Sequence, residues 1–162
     1  MEEMLERLGL KEAAACACEV GIRYRCRTLP SERPKVKCSR DVAGIVSSLP
    51  EMRENAGYKE LFYALYLDSG GGVVGVLKVA EGGWSNVHVD VRVVMQGALL
   101  LSAVALIIVH NHPSGRLTPS VPDRSLTAKM KEAAQLMDVS LFDSVIIGPE
   151  GDWYSFADEG ML

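Results

Sequence analysis

Several features that would mark a specialised protein are missing from this chain of 162 residues. Only 6% of its residues are aromatic, and 17 Lys and Arg stand against 21 Asp and Glu, so that the net charge is −4. A negative net charge argues against a protein that coats nucleic acid. Low-complexity tracts and internal repeats are absent, which excludes fibrous and repeat architectures. What remains, 48% hydrophobic and 23% charged residues, is typical of a soluble globular chain of one domain.

Long apolar runs and an export signal are also missing. The most apolar window, residues 97–109, contains 13 residues without a charge, whereas a helix that crosses a bilayer needs about 20. The amino terminus carries acidic residues where a secretory signal would carry a basic region followed by an apolar one. We therefore expect a core segment at 97–109, no membrane contact and a cytoplasmic protein.

Cysteine occurs only in the first quarter of the chain, as a C-x-C pair followed by gaps of 7 and 11 residues. This spacing matches no common zinc-finger pattern, and disulfides are unusual in a cytoplasmic protein. Small buried or half-exposed thiols are the simpler interpretation of Cys16, Cys18, Cys26 and Cys38.

The only local excess of charge is basic and lies in residues 20–40, where seven Lys or Arg accompany Glu32 alone. Such a stretch could contact the phosphates of nucleic acid, but charge runs are more often solvated surface. Tyr24 is the only aromatic residue there that could stack on a base. The seven residues are Arg23, Arg25, Arg27, Arg33, Lys35, Lys37 and Arg40.

The chain divides into an amino-terminal extension, residues 1–29, and a domain, residues 30–162. In the extension, residues 2–10 have the pattern of a short helix, and apolar residues alternate over 18–26 as in a half-buried strand. The domain begins with a helix for which Ser39 is a plausible N-cap and which Pro50 would end or interrupt.

The rest of the domain alternates between strands and helices. An aromatic, β-prone segment and an apolar segment flank the turn SGGG, which predicts a hairpin. A hairpin argues against a purely parallel, doubly wound sheet and favours a mixed α/β fold. The predicted elements are the hairpin strands 60–68 and 73–80, a helix at about 90–102, a buried strand at 104–109, a helix from Ser120, and strands at 141–148 and 152–157.

The motif HNHPSGRLTPSVPD, residues 110–123, follows the predicted buried strand directly. In extended backbone, residues i and i+2 point to the same side, so His110 and His112 can aim both imidazoles at one point. Asp123 can supply a third ligand if the next helix folds back over them. Two imidazoles and one carboxylate leave one position open, as in a catalytic zinc site. Alternatively, Ser120 and Asp123 form a capping box at a helix start, and both interpretations can hold together.

This motif resembles that of the JAMM (MPN+) metalloprotease superfamily, and HNHPSG with PSVPD has the form seen in its RadC-like branch. The similarity extends over roughly residues 30–160 and includes the segments KELFYALYLD, FDSVIIG and YSFADEG. It implies a mixed, curved β-sheet flanked by helices, the JAMM/MPN architecture that is similar to cytidine deaminases. The chain departs from the branch at Asp143, which is followed by Ser144 where Asp-His is frequent.

The resemblance also implies roles for individual residues. His110, His112 and Asp123 would hold Zn²⁺, and Ser120 would donate a hydrogen bond to the developing oxyanion or to the activated water. Glu60, the best match to the upstream glutamate of the family, would act as the general base, with Glu51 and Glu54 as nearby competitors. The implied activity is hydrolysis of a peptide or isopeptide bond in a protein substrate.

A second hypothesis from another class stays open. The fold could serve as a non-catalytic binding module associated with DNA repair or recombination, for which the basic stretch 20–40 is the only local support. Residues 1–29 are too short for the helix-hairpin-helix region of larger RadC proteins. The third histidine, His88, is expected at a pocket edge or on the surface.

Overall fold

The computed structural model describes residues 28–83 and 88–162. The predicted helix at 2–10, the predicted strand at 18–26 and Trp84 lie outside these residues, and the proposed boundary at residue 30 stays a prediction. The helices and strands are a 3₁₀ turn at Pro30–Glu32, α1 (Ser39–Ser47), α2 (Pro50–Asn55), β1 (Leu61–Leu67), β2 (Val73–Glu81), α3 (Val91–Leu100), β3 (Ala105–Asn111), α4 (Val121–Leu136), β4 (Ser140–Ile147) and β5 (Trp153–Ser155).

Five strands form one mixed sheet in the order β2-β1-β3-β4-β5. The hairpin β1–β2 is antiparallel, as predicted, and β1 also pairs antiparallel with β3. The pair β3–β4 is parallel, and its crossover is the helix α4, whereas β5 returns antiparallel to β4. The mixed α/β class predicted from the hairpin is therefore confirmed.

Helices cover both faces of the sheet, which explains why every residue of β1 and β3 is buried. Side chains alternate along a strand, so each strand contributes to two cores. On one face, Tyr66 and Ile108 pack with Ala98 of α3 and Met130 of α4. On the other face, Leu65, Ile107 and Val145 pack with Val42 of α1 and Met52 of α2.

The start of α1 differs from the sequence prediction by one residue. Cys38, rather than Ser39, is the N-cap, and the carboxylate of Asp41 accepts hydrogen bonds from the amides of Lys37 and Cys38. The Ser39 hydroxyl is used elsewhere: it donates to Asp158 and accepts from the Trp153 indole. Pro50 does not interrupt a helix but begins α2 at its first position, where the missing amide proton has no cost.

Among the helices that the structure describes, none combines the length and the apolar character that crossing a membrane requires. The cytoplasmic location stays a prediction.

Candidate metal centre

Two histidines lie at the carboxyl end of the central strand β3. The strand continues to Asn111, two residues beyond its predicted end, so His110 and His112 face the same side. Their Nε2 atoms are 3.1 Å apart. The ring of Phe62, the residue paired with His110 on β1, stacks on His110 with a centroid distance of 5.9 Å. The predicted convergence of the imidazoles is therefore present.

Asp123 reaches the histidines from the first turn of α4, as the folding back of the next helix requires. Its Oδ1 atom is 3.2 Å from Nε2 of His110, and its Oδ2 atom is 3.5 Å from Nε2 of His112. One ligand atom from each of the three residues lies within 4.8 Å of the others. Two imidazole nitrogens and one carboxylate oxygen are a donor set that suits Zn²⁺. The residues therefore fit the metal that the family resemblance implies.

The Nδ1 atom of His112 has a hydrogen-bond partner outside the cluster, and this leaves Nε2 to face the other two residues. Nδ1 is 2.6 Å from the carbonyl oxygen of Arg116, which can only accept, so Nδ1 carries the proton. In the neutral ring the lone pair is then on Nε2, the atom that faces His110 and Asp123. Gly115, at φ 74°, lies in the turn that brings this carbonyl back to His112. No sequence pattern signals this contact, because its acceptor is a backbone carbonyl.

Ser120 is the N-cap of α4 and also holds the Asp123 carboxylate. Its hydroxyl donates to Oδ2 of Asp123 at 2.6 Å, and its amide donates to the same oxygen at 2.7 Å. In return, the amide of Asp123 donates to Oγ of Ser120 at 3.3 Å. The predicted capping box is confirmed, and it orients the carboxylate toward the histidines.

Glu60 directly precedes β1 and lines the same cleft as the histidines. The pairing of Phe62 with His110 places Glu60 on the histidine side, because residues two apart on a strand share a face. Glu51 instead contacts Lys78 at 2.8 Å and the Tyr63 hydroxyl at 3.2 Å, outside the cleft. Glu54 is exposed on α2 and does not line the cleft. Of the three candidate glutamates, only Glu60 lines it.

Charge and burial shift the pKa values of these groups. Burial alone would raise the pKa of Asp123, but hydrogen bonds with His110, His112 and Ser120 hold it well below its usual range. The contact with Asp123 raises the pKa of His112 against the effect of its burial. Burial raises the pKa of Glu60, and the nearby histidines oppose this shift. The site thus combines an anionic ligand with a glutamate that holds a proton more readily than usual.

The cluster lies in a cleft of about 1250 Å³. His88 is exposed at its edge, in agreement with the prediction for the third histidine, and the exposed cations Arg116 and Lys129 also line it. A cleft of this volume can hold a ligand much larger than a single ion.

The domain thus has a mixed β-sheet flanked by helices, two histidines at a strand end and an aspartate on the following helix. This arrangement is that of a candidate metal-binding domain. This chain belongs to the RadC-like JAB domain family, whose profile matches residues 36–161. The match confirms the resemblance seen in the motif and covers all strands of the sheet.

Three curated relatives of the chain carry the name UPF0758 protein. The chain is 34% identical to one from Flavobacterium johnsoniae over 170 aligned residues, which cover 100% of this chain and 70% of the relative. It is 39% identical to one from Burkholderia ambifaria over 131 residues, which cover 81% of the chain and 50% of the relative. A protein from Porphyromonas gingivalis is 37% identical over 76% of the chain and 51% of its own length. The matches therefore cover between 50% and 70% of the length of these three relatives.

Proposed function

We propose that the protein is a zinc-dependent hydrolase that cleaves a peptide or isopeptide bond with an activated water. The observation that carries this proposal is the convergence of His110, His112 and Asp123 on one point of a cleft that Glu60 also lines. When bound by these three residues, Zn²⁺ would supply Lewis acidity toward a water and toward a substrate carbonyl.

The chain's own residues would handle the protons. Glu60 would take a proton from the attacking water and pass it to the leaving amine, and its raised pKa makes its carboxylate a better proton acceptor than an ordinary glutamate. Arg116 would keep His112 in the correct tautomer through its carbonyl group. Ser120 would hold Asp123, since its single hydroxyl proton is already donated to Oδ2. Donation to a substrate oxyanion, which the resemblance implies, would require that bond to break.

Two observations favour an amide bond over a phosphodiester. Phosphodiester hydrolysis often uses two metal ions, whereas residues 28–83 and 88–162 contain one cluster of metal-ligating side chains. In addition, three of the four described members of the basic stretch make side-chain contacts within the protein: Arg33 pairs with Asp68, Lys35 donates to the Gly70 carbonyl, and Arg40 lies over the Trp153 ring. No contact among the described residues favours the binding-module hypothesis.

The test combines metal content with hydrolysis. Untagged protein would be analysed for zinc and assayed against fluorogenic peptides and lysine isopeptides, including sequences with acidic residues that could meet Arg116 and Lys129. At saturating zinc we expect about one zinc per chain both in the wild type and in Glu60→Gln, while hydrolysis in this variant falls by at least about 100-fold, the scale of general-base loss. The matched control is Glu54→Gln, which removes an exposed glutamate outside the cleft and should change neither quantity.

Two results would contradict the proposal. A folded wild type that takes up no zinc would remove its basis. Hydrolysis by Glu60→Gln at the wild-type rate would exclude Glu60 as the base. Zinc uptake without any hydrolysis, together with DNA binding, would instead support the binding module.

A further inference from the structure

The residue between the two histidines has a side chain that is fully buried on the opposite side of β3. Asn111 is 0% exposed and points toward the connection between α2 and β1, away from the cleft. Its Oδ1 atom accepts a hydrogen bond from the amide of Leu61 at 2.7 Å. Its Nδ2 group donates to the carbonyls of Ala56 and Lys59, both at 2.8 Å. The amide therefore uses both of its protons and one lone pair on a single stretch of backbone.

These partners determine the orientation of the amide. A rotation by 180° would place Oδ1 against two carbonyl oxygens and Nδ2 against an amide proton, so only one orientation satisfies all three contacts. In this orientation Asn111 continues the pairing of β1 with β3 beyond its last backbone pair, Phe62 with His110. The side chain thus fixes the backbone on both sides of Glu60.

The side chain of Glu60 has no hydrogen-bond partner of its own within residues 28–83 and 88–162. The backbone of Glu60 is held on its other side by Gly83, whose carbonyl accepts from the Glu60 amide at 3.2 Å, and by Gly82, whose amide donates to the Glu60 carbonyl at 2.8 Å. The direction of the carboxylate therefore depends on how firmly the backbone at residues 59–61 is held. On either side of Glu60, the Lys59 carbonyl and the Leu61 amide are both bound by Asn111.

We propose that Asn111 is a positioning residue that aims Glu60 at the metal centre. This inference rests on the proposed function, and it gives the H-x-H motif a second role. The outer residues supply ligands on one face of the strand, while the middle residue holds the general base from the other face. Asn111 itself touches neither the cleft nor the substrate.

The experiment is a double-mutant cycle that needs no substrate. The zinc affinity of wild type, Asn111→Ala, Glu60→Gln and the double variant would be measured by competition with a chelator. Removal of the Glu60 charge beside the metal should weaken zinc binding by up to about tenfold. Asn111→Ala should weaken it by about three- to tenfold in the wild type, but by less than about twofold when Glu60 is already replaced, because its effect travels through Glu60.

Two further readouts separate positioning from a general structural role. Hydrogen exchange should increase in the peptide covering residues 56–61 of Asn111→Ala, and in the hydrolysis assay kcat should fall with little change in KM. The control, Asn55→Ala, removes an asparagine that donates only to the Glu51 carbonyl within α2, and it should leave zinc affinity and kcat unchanged. If Asn111→Ala does not fold, Asn111→Thr, which retains one hydroxyl and more volume, takes its place.

The outcomes distinguish this inference from the proposed function. Absence of zinc binding by the wild type overturns the proposed function and the inference with it. An equal loss of zinc affinity from Asn111→Ala in both backgrounds means that the substitution disturbs the histidines directly, and it overturns only the positioning role. Unchanged exchange at residues 56–61 overturns that role as well.

Discussion

Two carboxylates of this domain, the half-buried Asp123 and the buried Asp143, have opposite surroundings. Asp143, on β4, accepts hydrogen bonds from the Ser155 hydroxyl at 2.6 Å, the Ser144 amide at 2.7 Å and the Ala157 amide at 3.0 Å. All three partners are donors. Asp123 also accepts from a serine hydroxyl at 2.6 Å, but its other side-chain neighbours are two imidazole nitrogens.

The difference shows how a structural carboxylate can be told from a candidate ligand. Around Asp143 each proton has an acceptor, and burial raises the pKa of the carboxyl group. Beside Asp123, His112 already donates its Nδ1 proton to the Arg116 carbonyl. It can therefore donate from Nε2 only as an imidazolium. The raised pKa of His112 follows from this arrangement. The imidazole nitrogens beside Asp123 therefore need a cation, either a proton on His112 or a metal ion bound between the three residues. Asp143 already has three hydrogen-bond donors and needs no cation.

The largest expected contrast is in metal affinity. Asp123→Ala removes one of three ligands and should weaken zinc binding by at least about 100-fold, whereas Asp143→Ala should leave zinc binding per folded chain unchanged. Equilibrium dialysis against a zinc buffer would measure both. Equal losses in the two variants would mean that Asp123 acts through folding alone.

Stability should show the reverse order. Asp143→Ala leaves a buried hydroxyl and two amide protons without their acceptor and should lower the free energy of unfolding by about 2–4 kcal/mol. In metal-free protein, Asp123→Ala loses mainly a helix cap, at about 1 kcal/mol. Urea denaturation with chelator present is the measurement, and a larger loss for Asp123→Ala would contradict the comparison.

The pH dependence of stability should have opposite signs in the metal-free and the zinc-bound protein. Since the pKa of His112 is raised in the folded state, metal-free protein gains stability as pH falls, fully so below the unfolded value of 6.5, and loses it as pH rises through the raised pKa. Zinc binding needs neutral histidine, so the stabilisation by zinc should weaken over the same range as pH falls. One proton gives a slope of at most about 1.4 kcal/mol per pH unit.

Melting curves between about pH 5.5 and 8, with and without zinc, would measure this effect across the range in which histidine titrates. His112→Gln is the control, because it should remove the slope that the metal-free wild type shows. A slope that persists in this variant would assign the effect to another group.

The smallest contrast concerns the two serines that donate at 2.6 Å. Ser120→Ala should weaken zinc binding by a few-fold and lower stability by about 1 kcal/mol, since it removes the N-cap hydroxyl and one of the two hydrogen bonds that residue 120 donates to the carboxylate. Ser155→Ala should lower stability by about 1–2 kcal/mol without a change in zinc affinity. Calorimetric titration with zinc would measure the affinity of both variants. Equal affinities would mean that Ser120, like Ser155, contributes to stability and not to zinc binding.

Features that depend on neighbouring residues were predictable from the chain. The shared direction of His110 and His112 follows from strand geometry, and the S-x-x-D spacing of Ser120 and Asp123 is that of a capping box. The error at the start of α1 has a tertiary cause. Serine is a preferred N-cap, but the hydroxyl of Ser39 is occupied by Asp158 and Trp153, more than 100 residues away in sequence.

The sequence by itself therefore determined the strands, the hairpin and the candidate ligands, because periodicity, turn residues and caps act over a few residues. The tertiary structure alone decided which glutamate faces the cleft, since this depends on the register of β1 against β3. It also decided how His112 and Glu60 are held, through the Arg116 carbonyl and the Asn111 side chain. Backbone acceptors carry no residue signature, and the contacts of a buried amide appear only when distant segments are packed together.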